Sequence, residues 1–207
     1  MAWGSRPDDD LADASTVGTT ALERHREQHS FDAAISRYRE TVPVRPRRDP
    51  LLPGQESVWD YPRPPALRHC SRPIRVLLGD EVICETDQSW QVLETSHPPT
   101  YYLPRSSFAG GSLLPTAGTS ICEWKGAARY LDVIGGGRRA SRAAWYYPSP
   151  AEPFEVLIDH VALYAGLMDE CLVGGERVTP QPGGFYGGWI TSAVTGPFKG
   201  VPGSLGW

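Results

Sequence analysis

Apolar and polar side chains alternate strictly in one part of the chain: Ile74, Val76 and Leu78 precede a Gly79-Asp80 pair, and Val82 and Cys84 resume the alternation after it. A period of two puts the apolar set on one face of an extended strand, and Gly-Asp between two such runs is a turn signal, so a first antiparallel hairpin is predicted here. Residues 90–93 and 100–103 predict two more strands, bracketing His97-Pro98-Pro99. Residues 127–147 predict a second hairpin that turns at Gly135-Gly136-Gly137. Residues 153–160 read as one short helix with Pro153 near its first turn, and residues 161–164 and 170–173 as closing strands. The predicted fold class is mainly β: a small antiparallel domain over residues 72–173, with one or two short helices.

The flanks lack this pattern. Residues 1–29 are polar, with Asp8, Asp9 and Asp10 in a row, and bury too little apolar area to offset the entropy of ordering, so they read as a mobile tail. Residues 30–71 begin with Phe31, Ala34, Ile35 and Tyr38 at helical spacing behind Ser30, which predicts one short helix ending before Pro43. A Pro- and Arg-rich arm follows, laid along the domain through Trp59 and Tyr61. Residues 174–207 space Phe185, Tyr186, Trp189, Phe198 and Trp207 between glycines and prolines; lacking a core of their own, they are expected to pack onto the domain.

Composition narrows the function. The formal charge of −4 provides no overall positive field to collect phosphates, so neither nucleic acid nor a membrane surface is an expected partner. The basic residues are 18 Arg and only 2 Lys, which makes Lys125 and Lys199 conspicuous. Cys70, Cys84, Cys122 and Cys171 include no C-x-x-C pair, so no zinc ribbon, no other metal and no cofactor are expected. The start carries an acidic cluster rather than a leader pattern, and the longest apolar stretch, residues 156–168, is broken by Asp159 and His160. A cytoplasmic, reducing location is the expectation.

Three stretches can carry chemistry. In "ETSHPPTYYLP", residues 94–104, the Pro-Pro pair fixes two φ angles and removes two donors, so His97 stands at the entrance of a rigid bend with Glu94 nearby. The imidazole titrates near neutrality and the carboxylate can act as acid, base or acceptor. The competing reading is a structural corner in which Glu94 and His97 satisfy the backbone while Tyr101 and Tyr102 alternate, one ring in and one out. In "CEWKGAARY", residues 122–130, Lys125 lies between Trp124 and Gly126, and Lys199 repeats the aromatic-Lys-Gly pattern: glycine permits close approach, the ammonium provides charge and the ring a stacking face. The alternative is a strand-end lysine with a packed stem. In "AAWYYPSP", residues 143–150, Trp145 and Tyr147 share one face and Tyr146 takes the other. His160 reads as a satisfied histidine at the end of the predicted helix, and only secondarily as a site residue. Signatures for phosphate loops, nucleophile elbows and H-E-x-x-H zinc sites are missing.

In order and spacing, "VLETSHPPTYYLP", "CEWKGAARY", "AAWYYPSP" and "IDHVALYAG" resemble the DUF427 family, over roughly residues 56–207 and including the closing Gly- and aromatic-rich segment. The resemblance implies a β-tent or Mss4-like arrangement, two antiparallel sheets meeting at an angle over a pocket. Relatives of that fold bind zinc through two C-x-x-C pairs, a pattern this chain lacks, or hold small ligands in an aromatic cage, for which Trp90, Tyr101, Tyr102, Trp124, Tyr130 and Trp145 are available. A nucleotidyltransferase label carried by the family finds no glycine-serine and paired-aspartate signature here. The resulting expectation is a pocket for a small polar or anionic metabolite: Lys125 supplies charge, Glu94 and His97 hydrogen bonds, and Tyr101, Tyr102, Trp124, Tyr130 and Trp145 walls. The alternatives are an enzyme using Glu94 or His97 as acid/base with Lys125 as electrostatic stabiliser, and an interaction module using the Pro/Arg arm or the aromatic tail.

Overall fold

The computed structural model describes residues 46–207. The chain divides into two units, Met1–Pro43 and Val44–Trp207, and every described residue belongs to the second. The polar tail, the helix predicted behind Ser30 and the start of the arm lie outside the described residues.

Fifteen strands follow in order: β1 (Glu56–Ser57), β2 (Ala66–Cys70), β3 (Ile74–Leu78), β4 (Glu81–Thr86), β5 (Ser89–Leu93), β6 (Thr100–Pro104), β7 (Leu113–Cys122), β8 (Gly126–Gly135), β9 (Arg138–Tyr146), β10 (His160–Leu163), β11 (Glu170–Val173), β12 (Glu176–Arg177), β13 (Thr179–Pro180), β14 (Trp189–Ile190) and β15 (Val194–Thr195). The fold is mainly β. An antiparallel seven-stranded sheet has the order β2-β5-β6-β10-β9-β8-β7, and a four-stranded sheet the order β12-β11-β3-β4. Two-stranded pairs, β1 with β15 and β13 with β14, complete the strand pairing in the arm and the tail.

The large sheet is joined by a shared short strand. His160 and Val161 pair with Pro104 and Leu103 of β6, whereas Ala162 and Leu163 pair with Trp145 and Ala144 of β9. Because β10 changes partner halfway, the strand ladder between the β2-β5-β6 and β9-β8-β7 halves runs only through its four residues. One face of the large sheet packs on the small one: Tyr101, Leu103, Leu131, Val133, Val161 and Leu163 meet Ile74, Val76, Leu78, Ile83 and Val173. The alternate residues Tyr102, Trp145 and Ala162 turn to the opposite face and join Val92, Tyr147, Phe154 and Leu157 in a second apolar cluster.

The two predicted hairpins form, as β3–β4 and β8–β9. Apart from the short strands β1 and β12–β15, three elements differ from the sequence reading. The helix predicted over residues 153–160 is a single 3-10 turn, Glu155–Leu157, after which Ile158 is already extended and Asp159 takes φ 60°. One turn suffices to bury Phe154 and Leu157 while Val156 and Ile158 stay exposed. Strand β2 precedes the alternation that starts at Arg72; it is an edge strand, partly exposed along most of its length, and carries no period-two signal. Strand β7 had no predicted element, because Pro115, Gly118 and a register shift between Pro115 and Thr119 disrupt its alternation.

The tips of the two hairpins touch. Gly79 has φ 62° and Gly136 φ 51°, and a Cβ on Gly136 would lie 1.8 Å from the Gly79 carbonyl oxygen. The Gly79 N–H donates to Asp169 Oδ2 at 2.5 Å and the Gly136 N–H to Glu81 Oε2 at 2.6 Å, which locks both turns to the small sheet. Gly136→Ala is therefore expected to lower stability by about 2–3 kcal/mol, through a backbone clash and a strained φ together. Urea denaturation checks it; an unchanged midpoint would mean that the two tips do not meet.

Candidate functional site

The 94–97 turn joins β5 to β6 and is closed by the His97 N–H donating to the Glu94 carbonyl at 3.0 Å. It has no neighbouring strand. Two outlying segments satisfy its backbone instead. From the arm, the Pro62 and Val58 carbonyls accept the Thr95 and Ser96 N–H groups at 3.3 and 3.0 Å, and the Tyr61 carbonyl accepts Thr95 Oγ1 at 2.6 Å. From the tail, the Lys199 N–H donates to the Ser96 carbonyl and the Trp189 N–H to the Pro99 carbonyl, both at 2.8 Å. Pro98 and Pro99 are buried, and having no N–H they leave no donor to satisfy there.

The second contribution comes from the turn between β7 and β8, where Glu123, Trp124 and Lys125 project from paired strand ends Cys122 and Gly126. The third is the tail loop between β13 and β14. Buried Gln181 pins it by donating from Nε2 to the Lys199 carbonyl at 2.8 Å and accepting the Gly188 N–H at 3.1 Å. Gly187 lies so close to the Trp145 ring that a Cβ there would be 2.1 Å from it.

These segments surround one cavity of about 790 Å³ on the second face of the large sheet. Glu94, His97 and Lys125, which lie apart in sequence, all line it, together with Tyr102, Trp124, Tyr130 and Trp145. Tyr101 does not: it faces the core between the sheets, stacked on Trp189 at 5.1 Å. This corrects the expectation that both tyrosines form walls, since adjacent strand residues must point to opposite faces. Both rings are nevertheless buried, because both faces of β6 are covered. Trp90 packs edge-on against His69 at 5.4 Å and is not among the lining residues. His160 is also outside the cavity, with Nδ1 against the Ile158 carbonyl at 2.9 Å.

Several lining residues were not singled out from the sequence, among them Arg63, Arg142, Tyr164 and Tyr186. Lys199, flagged by its aromatic-Lys-Gly context, lines the cavity too. Arg63 emerges from the arm and ties two carboxylates, Glu123 at 2.7 Å and Glu94 at 3.5 Å, while lying 5.8 Å from the Trp124 ring centre. Its guanidinium is about half exposed, so these pairs are worth below about 1 kcal/mol of stability. Their main effect is to neutralise charge at that end of the cavity.

His97 is buried, its Nδ1 lies 2.9 Å from the Thr95 carbonyl, and its ring packs edge-on against Tyr186 at 4.7 Å. Nδ1 therefore carries a hydrogen and donates, which leaves Nε2 as the acceptor of the neutral ring. Burial holds the His97 pKa below its ordinary value; the Thr95 bond and Glu94 oppose the shift, whereas Lys199 and Arg63 add to it. Burial, followed by the nearby Arg63 charge, also lowers the Lys199 pKa, and its Nζ donates to the Trp207 carbonyl at 2.7 Å. The phenols move the other way. Burial raises Tyr102 and Tyr147 far above the usual tyrosine range and Tyr164 to about 12, so the walls stay uncharged and keep their O–H donors. Among the described residues no group of three or more His, Cys, Asp or Glu side chains is arranged to hold a metal ion. No described helix is long and apolar enough to cross a membrane.

A mainly β domain with a single-sided, ring-lined cavity is thus the class of protein that fold and site define. Residues 66–174 match the family model described as a domain of unknown function, DUF427. The match covers more than half of the chain, and the chain belongs to that family. A comparison with the curated proteins returned no match.

His97 is expected to titrate below 6.5, its ordinary value. Between the folded and unfolded pKa values the unfolded chain binds more protons, so the neutral ring's contribution is complete above the unfolded value and is lost as pH falls through the folded one. Urea midpoints measured across this range should fall with pH in the wild type and less steeply in His97→Gln. An NMR titration placing His97 at or above 6.5 would contradict the burial of its ring.

Proposed function

We propose that this DUF427 protein binds a small polar or anionic metabolite in the cavity between the 94–97 turn and the 123–125 turn. The observation that carries this reading is the convergence of Glu94, His97, Lys125 and Lys199 with aromatic rings on one concavity. A concave, mostly apolar site with a few converging polar groups is the usual form of a small-molecule site. Lining cations Arg63, Lys125, Arg142 and Lys199 outnumber the carboxylates Glu94 and Glu123, although the whole chain is negative. This local excess favours an anion. Four free cysteines, three of them buried, support a reducing compartment such as the cytoplasm. Two antiparallel sheets packed over a common core support the β-tent comparison, while the cavity opens on the outer face of the large sheet and not between the sheets.

A second reading has one specific observation in its favour. His97 is a neutral imidazole at pH 7 with Nε2 available, which suits a general base in the cavity that Lys125 also lines. Glu94 is the weaker candidate, since Arg63 already holds it. The tail as a docking module is disfavoured by Trp189, which is buried, and by Trp207, which packs on Trp59 at 5.6 Å.

Screening purified protein against metabolite mixtures tests the proposal. A ligand at a hundred times its Kd adds about 2.7 kcal/mol, or roughly 5–10 °C of melting temperature for a chain of this size. Lys125→Ala should lose most of that shift while keeping its ligand-free stability within about 1 kcal/mol of wild type. If no metabolite class shifts the wild type, the binding reading fails.

A further inference from the structure

Granting that the cavity is a binding site, we infer that its ligand is a planar aromatic monocarboxylate whose carboxylate meets Lys125. The anchor is a buried lysine whose ammonium has no counter-charge among the described residues. Lys125 is 7% exposed, and its Nζ lies 5.4 Å from the Phe154 ring centre and 5.9 Å from that of Tyr147. Among the described residues no carboxylate pairs with it. Ring faces stabilise a cation only partly, and a buried charge calls for a strong acceptor.

The other three lining cations are paired or solvated. Arg63 is divided between Glu94 and Glu123, Lys199 donates to the Trp207 carbonyl, and Arg142 is exposed to water with its guanidinium 4.5 Å from the Tyr130 ring centre. A second donor is unsatisfied on the same turn as Lys125: Trp124 Nε1 is buried with no hydrogen-bond partner. The 123–125 turn is thus short of acceptors at two adjacent residues, and a ligand oxygen would answer that deficit.

One uncommitted ammonium matches one negative charge. Glu94 and Glu123 share the lining and would repel a second. A phosphate would also find no helix N-terminus to help it, since the described helices are single 3-10 turns of three residues. The body of the ligand meets rings: Trp145 and Tyr164 lie 4.7 Å apart at 46°, with Tyr130 and Trp124 on the adjoining wall. Tilted ring faces favour a flat aromatic body over a flexible chain, which loses more rotamer freedom for the same burial.

Calorimetric titration of the full chain with naphthoate, naphthamide, naphthyl phosphate and octanoate tests this. Naphthoate is expected to bind about tenfold or more tighter than the neutral, nearly isosteric naphthamide, the difference a charge-assisted hydrogen bond supplies. Lys125→Ala should abolish that ratio by weakening naphthoate alone, and Lys125→Arg should restore part of it. Should Lys125→Ala fail to fold, the wild-type ratio and its decline with added salt decide the matter. Equal affinity for naphthoate and naphthamide, tighter binding of naphthyl phosphate, or equal binding of octanoate each overturn the inference. If all four probes fail while a metabolite mixture still raises the melting point, the ligand class is wrong and the binding reading stands. If neither probes nor mixture bind, both fall.

Discussion

Thr95 and Ser96 must find partners for buried backbone groups at a place where the sheet provides none. An unpaired buried N–H or C=O costs about 1–3 kcal/mol, so the turn between β5 and β6 is stable only if other segments bring acceptors and donors to it. The arm and the tail do so from opposite sides, through Val58, Tyr61 and Pro62 on one and Lys199 on the other. The same contacts fix where the two segments run. With Trp59 Nε1 donating to the Pro197 carbonyl at 2.8 Å, arm and tail are joined to each other as well. The 94–97 turn is a structural corner and a cavity edge at once, and the corner is what gives the edge its rigidity.

That bracing also sets the electrostatics. Running along the turn, the arm delivers Arg63 to Glu94 and Glu123; passing over it, the tail delivers Lys199 and the Tyr186 ring that lies against His97. One end of the cavity is therefore a network of mutually compensated charges around a neutral imidazole. Lys125, on the same turn as Glu123, lies instead among aromatic rings, with its positive charge uncompensated by any described residue.

How much of this was legible in the sequence depends on how many sides of an element are covered. Ile74, Val76 and Leu78 are buried while Arg75 is exposed, so β3 shows a clean period of two. The bulged centre of β8 does not: Leu131, Asp132 and Val133 are buried in succession. Asp132 there accepts the Arg142 N–H at 2.7 Å and an ion pair from Arg139, a local solution that no alternation rule anticipates. Edge strands β2 and β7 were invisible because exposed residues need no pattern. Residue chemistry with the family resemblance brought Glu94, His97 and Lys125 together, but nothing in the Pro/Arg arm distinguishes Arg63 from its neighbours. Tyr101 and Tyr102 could not be assigned to faces, since alternation says only that they part.

The glycines of the tail follow from the same geometry. A Cβ on Gly188 would lie 2.6 Å from the Pro98 carbonyl oxygen, and one on Gly187 would enter the Trp145 ring. Chain that must pass between an indole and the Pro-Pro bend has no room for side chains at those two positions, yet must present Tyr186 just before them to cover His97. Glycines that resemble a flexible linker by composition here mark close approach of backbone to a packed surface. Phe185 remains 74% exposed because the loop has no wall beyond it, and its carbonyl accepts the Tyr164 O–H at 3.3 Å. The roof of the cavity is thus held from below by a phenol that is itself part of the wall, so anything that displaces the Tyr164 ring also displaces the roof.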